Sequence, residues 1–277
     1  MSIDYRPMNV LARLAVVGGL SLAGSVAQGV VVTNVTDGTT LFADNFESGT
    51  VDSDLGTAVV GSWGPSGDAP GRQTYESLAS EGVAPYSGNQ FAKLVKDYGG
   101  APNPLYLDTT FNAAAVANSG AGDLLRTEMA FRVNPRGGLG VNTFGIMFVD
   151  AAGPAGPRGK NEFMEFQIDD TGALYYTDIT TFFTPLAATQ AVGAWNTLRI
   201  DYVNGSGSFS VSVNGGTPEI VSNGVQANGN ATKLLFVNYD SAASAGAYLD
   251  SLSNNVPEPA SMVLMAAGSV WMLMRRR

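Results

Sequence analysis

WNTLRIDYVNGSGSFSVSV, the stretch from Trp195 to Val213, decides the fold. Trp195 to Val203 and Ser208 to Val213 are two strands, and Asn204-Gly205-Ser206-Gly207 turns the chain between them. Gly and Asn accept the positive φ that a tight hairpin demands. In the second strand Phe209, Val211 and Val213 alternate with Ser208, Ser210 and Ser212, so one face is apolar and the other wet. The same period of two runs through Leu125 to Val133. There Leu125, Thr127, Met129, Phe131 and Val133 point one way, and Arg126, Glu128, Ala130 and Arg132 the other. Thr143 to Val149 is apolar throughout and reads as a central strand. Glu162 to Ile168 and Ala173 to Ile179 form a further hairpin about Asp169-Asp170-Thr171-Gly172.

Outward from this centre the pattern repeats. Leu41 to Glu47, Thr57 to Trp63, Phe91 to Lys96, Leu105 to Phe111, Lys233 to Tyr239 and Ala247 to Leu252 read as short strands bounded by Gly, Asn, Asp or Pro. Residues 28–40 read as an N-terminal extension or a first edge strand, and residues 112–123 as one helical turn at most. About a dozen short strands, with no long amphipathic helix between them, predict an all-β antiparallel sandwich. No repeat or interior linker divides it, so residues 41–253 are expected to be one domain.

Composition narrows the chemistry. The chain of 277 residues has no Cys and no His. Disulfides, Ser-His-Asp and Cys-His nucleophiles and His-ligated zinc are therefore excluded. A metal would be held by oxygen, which points to calcium. The net charge is −9. Setting aside five Arg and two acidic residues in the terminal segments leaves 10 basic and 22 acidic residues, a net of −12. Such a body repels nucleic acid and anionic lipid, and suits divalent cations or a neutral polymer.

Both ends read as targeting segments. Arg6 and Arg13 precede an apolar core from Leu14 to Leu22, and Ser25-Val26-Ala27 is a small-x-small cleavage signal. Residues 1–27 are thus expected to be a signal peptide cut between Ala27 and Gln28. At the other end, Val256-Pro257-Glu258-Pro259 is a rigid break, since each proline fixes its own φ and restricts the residue before it. Ala260 to Met274 carries no charge, and Arg275-Arg276-Arg277 closes the chain. As a helix this apolar run rises about 22 Å, short of the ~30 Å hydrocarbon core, so it suits a temporary inner-membrane anchor. The terminal arginines would stay cytoplasmic.

Residues 256–277 resemble the PEP-CTERM sorting signal of Gram-negative bacteria. The resemblance covers only the tail. It implies export through the secretion translocon, transient anchoring, processing by an exosortase near Pro257-Glu258-Pro259, and release to the cell surface or extracellular matrix. An ordinary tail anchor is the alternative.

The body has a second, fold-level resemblance. Phe42-Ala43-Asp44-Asn45-Phe46-Glu47, the Trp195 to Tyr202 strand with its Val213-Asn214-Gly215 turn, and Ala247-Tyr248-Leu249-Asp250-Ser251-Leu252 look like the concanavalin A-like jelly rolls of lectins, glucanases and laminin-G-like domains. The resemblance implies a jelly roll whose first and last strands are neighbours. In that case the carboxylates of Asp44, Glu47 and Asp250 meet and hold a structural Ca²⁺. The plainer reading is that Asp44 caps a turn and Asp250 sits on a solvated edge.

Laminarinase-type glucanases of this fold carry alternate carboxylates on one strand. The nearest stretch here is Glu162-Phe163-Met164-Glu165-Phe166-Gln167-Ile168-Asp169. On a regular strand Glu162 and Glu165 face opposite sides, and Glu165 and Asp169 stand about 13 Å apart. Without a bulge neither pair is a hydrolytic dyad, which requires about 5–9.5 Å. Tyr175 and Tyr176 can supply rings for pyranose faces, and Arg126 and Glu128 can hydrogen-bond hydroxyls. Trp63 and Tyr239 are further candidate rings, and Trp195 reads as packing. The expected role is non-catalytic: an exported surface or matrix component that binds polysaccharide. The alternatives are a glycan-active enzyme and a purely structural or adhesive protein.

Overall fold

The computed structural model of the chain describes residues 29–66, 71–96, 105–135, 142–153, 161–177, 183–222, 229–239, 247–250 and 252. In chain order the strands are β1 (Val30–Asn34), β2 (Thr39–Asp44), β3 (Ser62–Ser66), β4 (Gly71–Ser77), β5 (Gln90–Lys96) and β6 (Leu105–Thr110). There follow β7 (Leu124–Val133), β8 (Asn142–Val149), β9 (Glu162–Asp169), β10 (Ala173–Thr177) and β11 (Thr184–Thr189). The last are β12 (Asn196–Val203), β13 (Phe209–Val213), β14 (Glu219–Val221), β15 (Lys233–Asn238) and β16 (Ala247–Asp250). Two short helices, α1 (Leu78–Glu81) and α2 (Ala113–Asn118), interrupt them. The side chain of Asn112 caps α2 by accepting from the Ala114 and Ala115 amides.

The strands form two antiparallel sheets. Sheet A runs β14-β13-β12-β7-β16-β5-β4, with β1 and β2 joined to it, and sheet B runs β11-β10-β9-β8-β15-β6-β3. The whole of β12 pairs with β7, from Leu124 to Phe131. The other edge of β7 is shared: β16 lies opposite Val133 to Ala130, and β1 opposite Glu128 to Leu125. The first and last strands therefore lie end to end, and Val31 and Asp250 are two register positions apart, about 7 Å at the usual rise. Residues 28–40 thus contain a strand inside the sheet, since β1 pairs with both β2 and β7.

The apolar parity read from the sequence faces the sheet interface. Leu125, Thr127, Met129, Phe131 and Val133 are all buried, as are Phe209, Val211 and Val213. Sheet B answers with Phe144, Ile146, Phe148, Phe166, Ile168, Leu234 and Phe236. Edge-to-face and tilted pairs such as Phe166–Phe209 (4.8 Å) and Phe163–Tyr202 (5.1 Å) cross the interface. Burial raises the Tyr202 phenol above its ordinary pKa, and its hydroxyl donates to the Gly229 carbonyl (2.6 Å), with the Ser206 carbonyl 3.1 Å away.

Three strands were not foreseen: β4, β11 and β14. The strand expected from Thr57 to Trp63 begins instead at Ser62, with isolated bridges at Thr57 and Val60 before it. Trp63 packs in the interface against Phe42, Phe46 and Phe236. Trp195 also packs, but on the outer side of sheet A, where its ring meets Tyr86, Phe91 and Tyr248 and its indole N–H donates to the Ala84 carbonyl (2.7 Å).

Candidate functional site

The outer face of sheet B, turned away from sheet A, is organised by a bulge in β9. Phe148 pairs with Met164, but the next residue, Val149, pairs with Glu162, so Phe163 is the extra residue. Phe163 and Met164 both join the interface core. Glu162 and Glu165 consequently stand opposite Val149 and Met147, which share the outer face of β8. A regular strand would have separated the two carboxylates; the bulge puts them on one face, two register positions apart along β8.

Beside them lies a row of buried polar groups. Gln167 follows Glu165 on the same parity, and Thr177 is the direct cross-strand partner of Glu165. Gln167 Nε2 donates to Glu165 Oε1 (2.6 Å), and the Tyr239 hydroxyl donates to the same oxygen. Gly145, opposite Gln167, makes room for Tyr239, because a Cβ there would stand 2.8 Å from the ring. Gln167 Oε1 and Thr177 Oγ1 are buried and have no hydrogen-bond partner among the described residues. Such atoms are rare in folded proteins and mark places where water or a ligand belongs. Met147, Val149, Leu235 and Val237 surround the row as a small second core, with Tyr106 and Tyr239 packed on it.

At the margin of this face Tyr175 is the cross-strand neighbour of Gln167. Its hydroxyl donates to Asp169 Oδ2 (3.1 Å), and its ring meets Phe183 edge to face. Burial and the Asp169 carboxylate raise the Tyr175 phenol. Phe183 is 40% exposed and has φ +69°, a conformation that bulky side chains seldom adopt. Asp169 itself organises the β9–β10 turn: its Oδ1 accepts from Thr171 N, Thr171 Oγ1 and Ala173 N.

The other expected ligand-binding side chains lie elsewhere. Tyr176 points inward and packs on Phe209. Arg126 and Glu128 are on the outer face of sheet A, across the sandwich from Tyr175. The four residues do not form one surface, because Tyr175 and Tyr176 are adjacent on a strand and the other two belong to the opposite sheet.

Asp44, Glu47 and Asp250 are not brought together as one cluster either. Among the described residues no three acidic side chains are grouped closely enough to hold a metal. Asp44 is fully buried, accepts from Phe46 N (3.0 Å) and from the Trp63 indole, and has its pKa raised by that burial. Asp250 Oδ2 accepts from Tyr86 N and Ser87 N, and Glu47 Oε1 from Asn89 N and Gln90 N. The carboxylates at the two ends of the domain do converge, then, but on one loop. They anchor residues 86–90 through four amides. Gly88 between the anchors has φ +68°, and a Cβ there would lie 2.1 Å from Glu47 Oε1. Backbone N–H donors take one oxygen of each of these two carboxylates.

The expected cleavage site at Ala27 and Gln28 and the whole of residues 256–277 lie outside the described residues. Among the described residues no helix is long and apolar enough to cross a membrane.

No protein-family model matches the chain, and no curated protein is significantly similar to it. Solved structures with similar chain paths include a carbohydrate esterase from Shiga toxin-encoding bacteriophage phi24B. It is 22% identical, covers 68% of this chain and 87% of its own, and has a TM-score of 0.43. Lectin II from Ulex europaeus is 10% identical over 73% of this chain and 97% of its own, with a TM-score of 0.43. An alginate lyase of polysaccharide lyase family 7 is 8% identical over 81% and 92%, with a TM-score of 0.35.

Proposed function

We propose that the protein is an exported, exosortase-sorted surface or matrix component whose jelly-roll body binds polysaccharide on the outer face of sheet B. The observation that carries the binding role is the Tyr175–Phe183 aromatic margin, with Phe183 40% exposed, beside the row of polar groups on the same face. Sugars present an apolar ring face that stacks on an exposed aromatic, and hydroxyls for the polar groups at its margin. The sorting role rests on residues Val256 to Pro259 and Arg275 to Arg277.

Retention of the full chain on insoluble plant and bacterial polysaccharides tests the binding role. Tyr175→Ala is expected to weaken retention about tenfold, ~1.4 kcal/mol. Equal retention of Tyr175→Ala and wild type on every polymer would remove this face from the proposal. Mass spectrometry of the mature protein tests sorting: an intact Arg275-Arg276-Arg277 end on the surface protein contradicts exosortase processing.

A second reading is favoured by the β9 bulge. Two carboxylates brought to one face, about two residue spacings apart, meet the first requirement of glycoside hydrolysis. Release of reducing ends, abolished by both Glu162→Gln and Glu165→Gln, would support an enzyme; retention without turnover supports the binding module.

A further inference from the structure

The outer face of sheet A holds a separate depression of about 540 Å³. That volume is within the range of sites that take small ligands, ~300–1,000 Å³. Glu128, Arg199, Thr197 and Ser212 contribute polar groups from β7, β12 and β13, and Tyr86 and Leu252 contribute apolar surface. Gly215 and Gly216 line it without side chains.

Its electrostatics are unusual for a solvated sheet face. Glu128 is the direct cross-strand partner of Arg199, and Arg126 is two residues away on β7. Either arginine is in a position to pair with it. Both turn instead to Asp201: Arg126 through Nε (2.8 Å) and Nη2 (3.3 Å), Arg199 through Nε (3.0 Å) and Nη2 (2.5 Å). Glu128 makes no hydrogen bond with any described residue, although it faces a cavity between two arginines. Tyr86 is fixed twice over. Its amide donates to Asp250, and its ring lies edge-on to Trp195 at 6.3 Å.

We infer that this depression is a second sugar-binding subsite, taking one neutral pyranose unit. Tyr86 offers the ring face, Glu128 accepts from vicinal hydroxyls, and Arg199 keeps an unshared N–H edge for a sugar oxygen. The inference rests on the glycan-binding reading of the protein and adds a site on the opposite side of the sandwich. With two such faces, one molecule bridges two polysaccharide chains.

Saturation-transfer NMR on the full chain, with methyl α- and β-pyranosides of glucose, galactose and mannose as probes, tests it. At least one probe is expected to bind, with affinity falling tenfold or more in Glu128→Gln and Tyr86→Ala and kept in Tyr86→Phe. The surface change Glu128→Gln guards against misfolding as the cause. Binding unaffected by Glu128→Gln and Tyr86→Ala, or no binding of any of the six probes, overturns the subsite. Retention on insoluble polysaccharide, read in the same variants, is expected to stay with the sheet B face. If it persists while the pyranosides fail, the subsite is lost and the main reading stands. If Tyr175→Ala leaves retention unchanged while Glu128→Gln abolishes pyranoside binding, the reverse holds.

Discussion

The two outer faces of the sandwich are built from opposite materials. On sheet A, Arg126, Asp201 and Arg199 form an ion network at half-exposed positions, and Lys93, Glu81 and Tyr248 form another. On sheet B the corresponding face is buried: Met147, Leu235 and Val237 are at most 1% exposed, and Glu165, Gln167 and Thr177 at most 2%. An antiparallel sandwich normally needs only its inner faces apolar. Face A satisfies charges with charges. Face B surrounds polar groups with apolar ones and leaves two of their atoms unpaired, an arrangement that stability alone does not favour. That contrast is the basis of the proposed sheet B site and yields the predictions that can break it.

The largest expected effect is on packing. Leu235→Ala, on the outer face of sheet B, should cost about 2–5 kcal/mol, as in a true core. Thr197→Ala, on the outer face of sheet A, should stay within about 0.5 kcal/mol. Urea denaturation of both variants measures the gap; equal small losses would mean that face B is an ordinary surface.

The chain ends come next. Asp250→Ala leaves the half-buried Tyr86 and Ser87 amides without their carboxylate, at a cost of about 1–3 kcal/mol, toward the lower end because water can reach them. Excess EDTA should leave the melting temperature of the wild type unchanged, because amides occupy these carboxylate oxygens. A drop on chelation, abolished by Asp250→Ala, would restore the calcium site.

Thr177→Val sharpens the contrast within face B. The change is nearly isosteric and removes a buried hydroxyl that has no partner among the described residues. Stability is expected to rise by up to about 1 kcal/mol while polysaccharide retention falls. A rise in both, or a fall in both, separates Thr177 from ligand binding.

These sites differ in how far the sequence revealed them. The strict alternation in Leu125 to Val133 and Phe209 to Val213 identified the interface face residue by residue, because one wet side leaves only one way to bury the other. The polar strand Gly71–Ser77 was invisible, since its Thr74 and Glu76 satisfy each other through a 2.6 Å hydrogen bond and need no apolar pattern. The β9 bulge was named as the condition for a Glu162–Glu165 pair but could not be placed, because register against β8 is a long-range property. Tyr175 was legible as a surface ring. Thr177 was not, as its significance lies in its cross-strand partner, Glu165. The convergence of the two chain ends was foreseen, but its purpose was not: amides, absent from any list of side chains, took the carboxylates.

The smallest effect belongs to the ion network of face A. Desolvation would raise the Asp201 carboxyl, but hydrogen bonds from Arg126 and Arg199 hold it below its ordinary 3.8. A carboxyl depressed in the folded state stabilises the fold above its unfolded pKa and loses that contribution as pH falls through the folded value. Asp201→Asn should therefore cost about 0–1 kcal/mol at pH 7, less in high salt, and nothing once the pH is well below 3.8. Asp44 works in the opposite sense. Its raised pKa means that ionisation opposes folding, so the folded protein gains a proton before the unfolded chain does and is relieved of that cost as the pH falls through the raised value toward 3.8. Denaturation at closely spaced pH values between 3 and 7 should show the Asp201→Asn difference closing only at the acid end. A difference that persists unchanged into acid would assign the loss to side-chain packing and deny the network its electrostatic role.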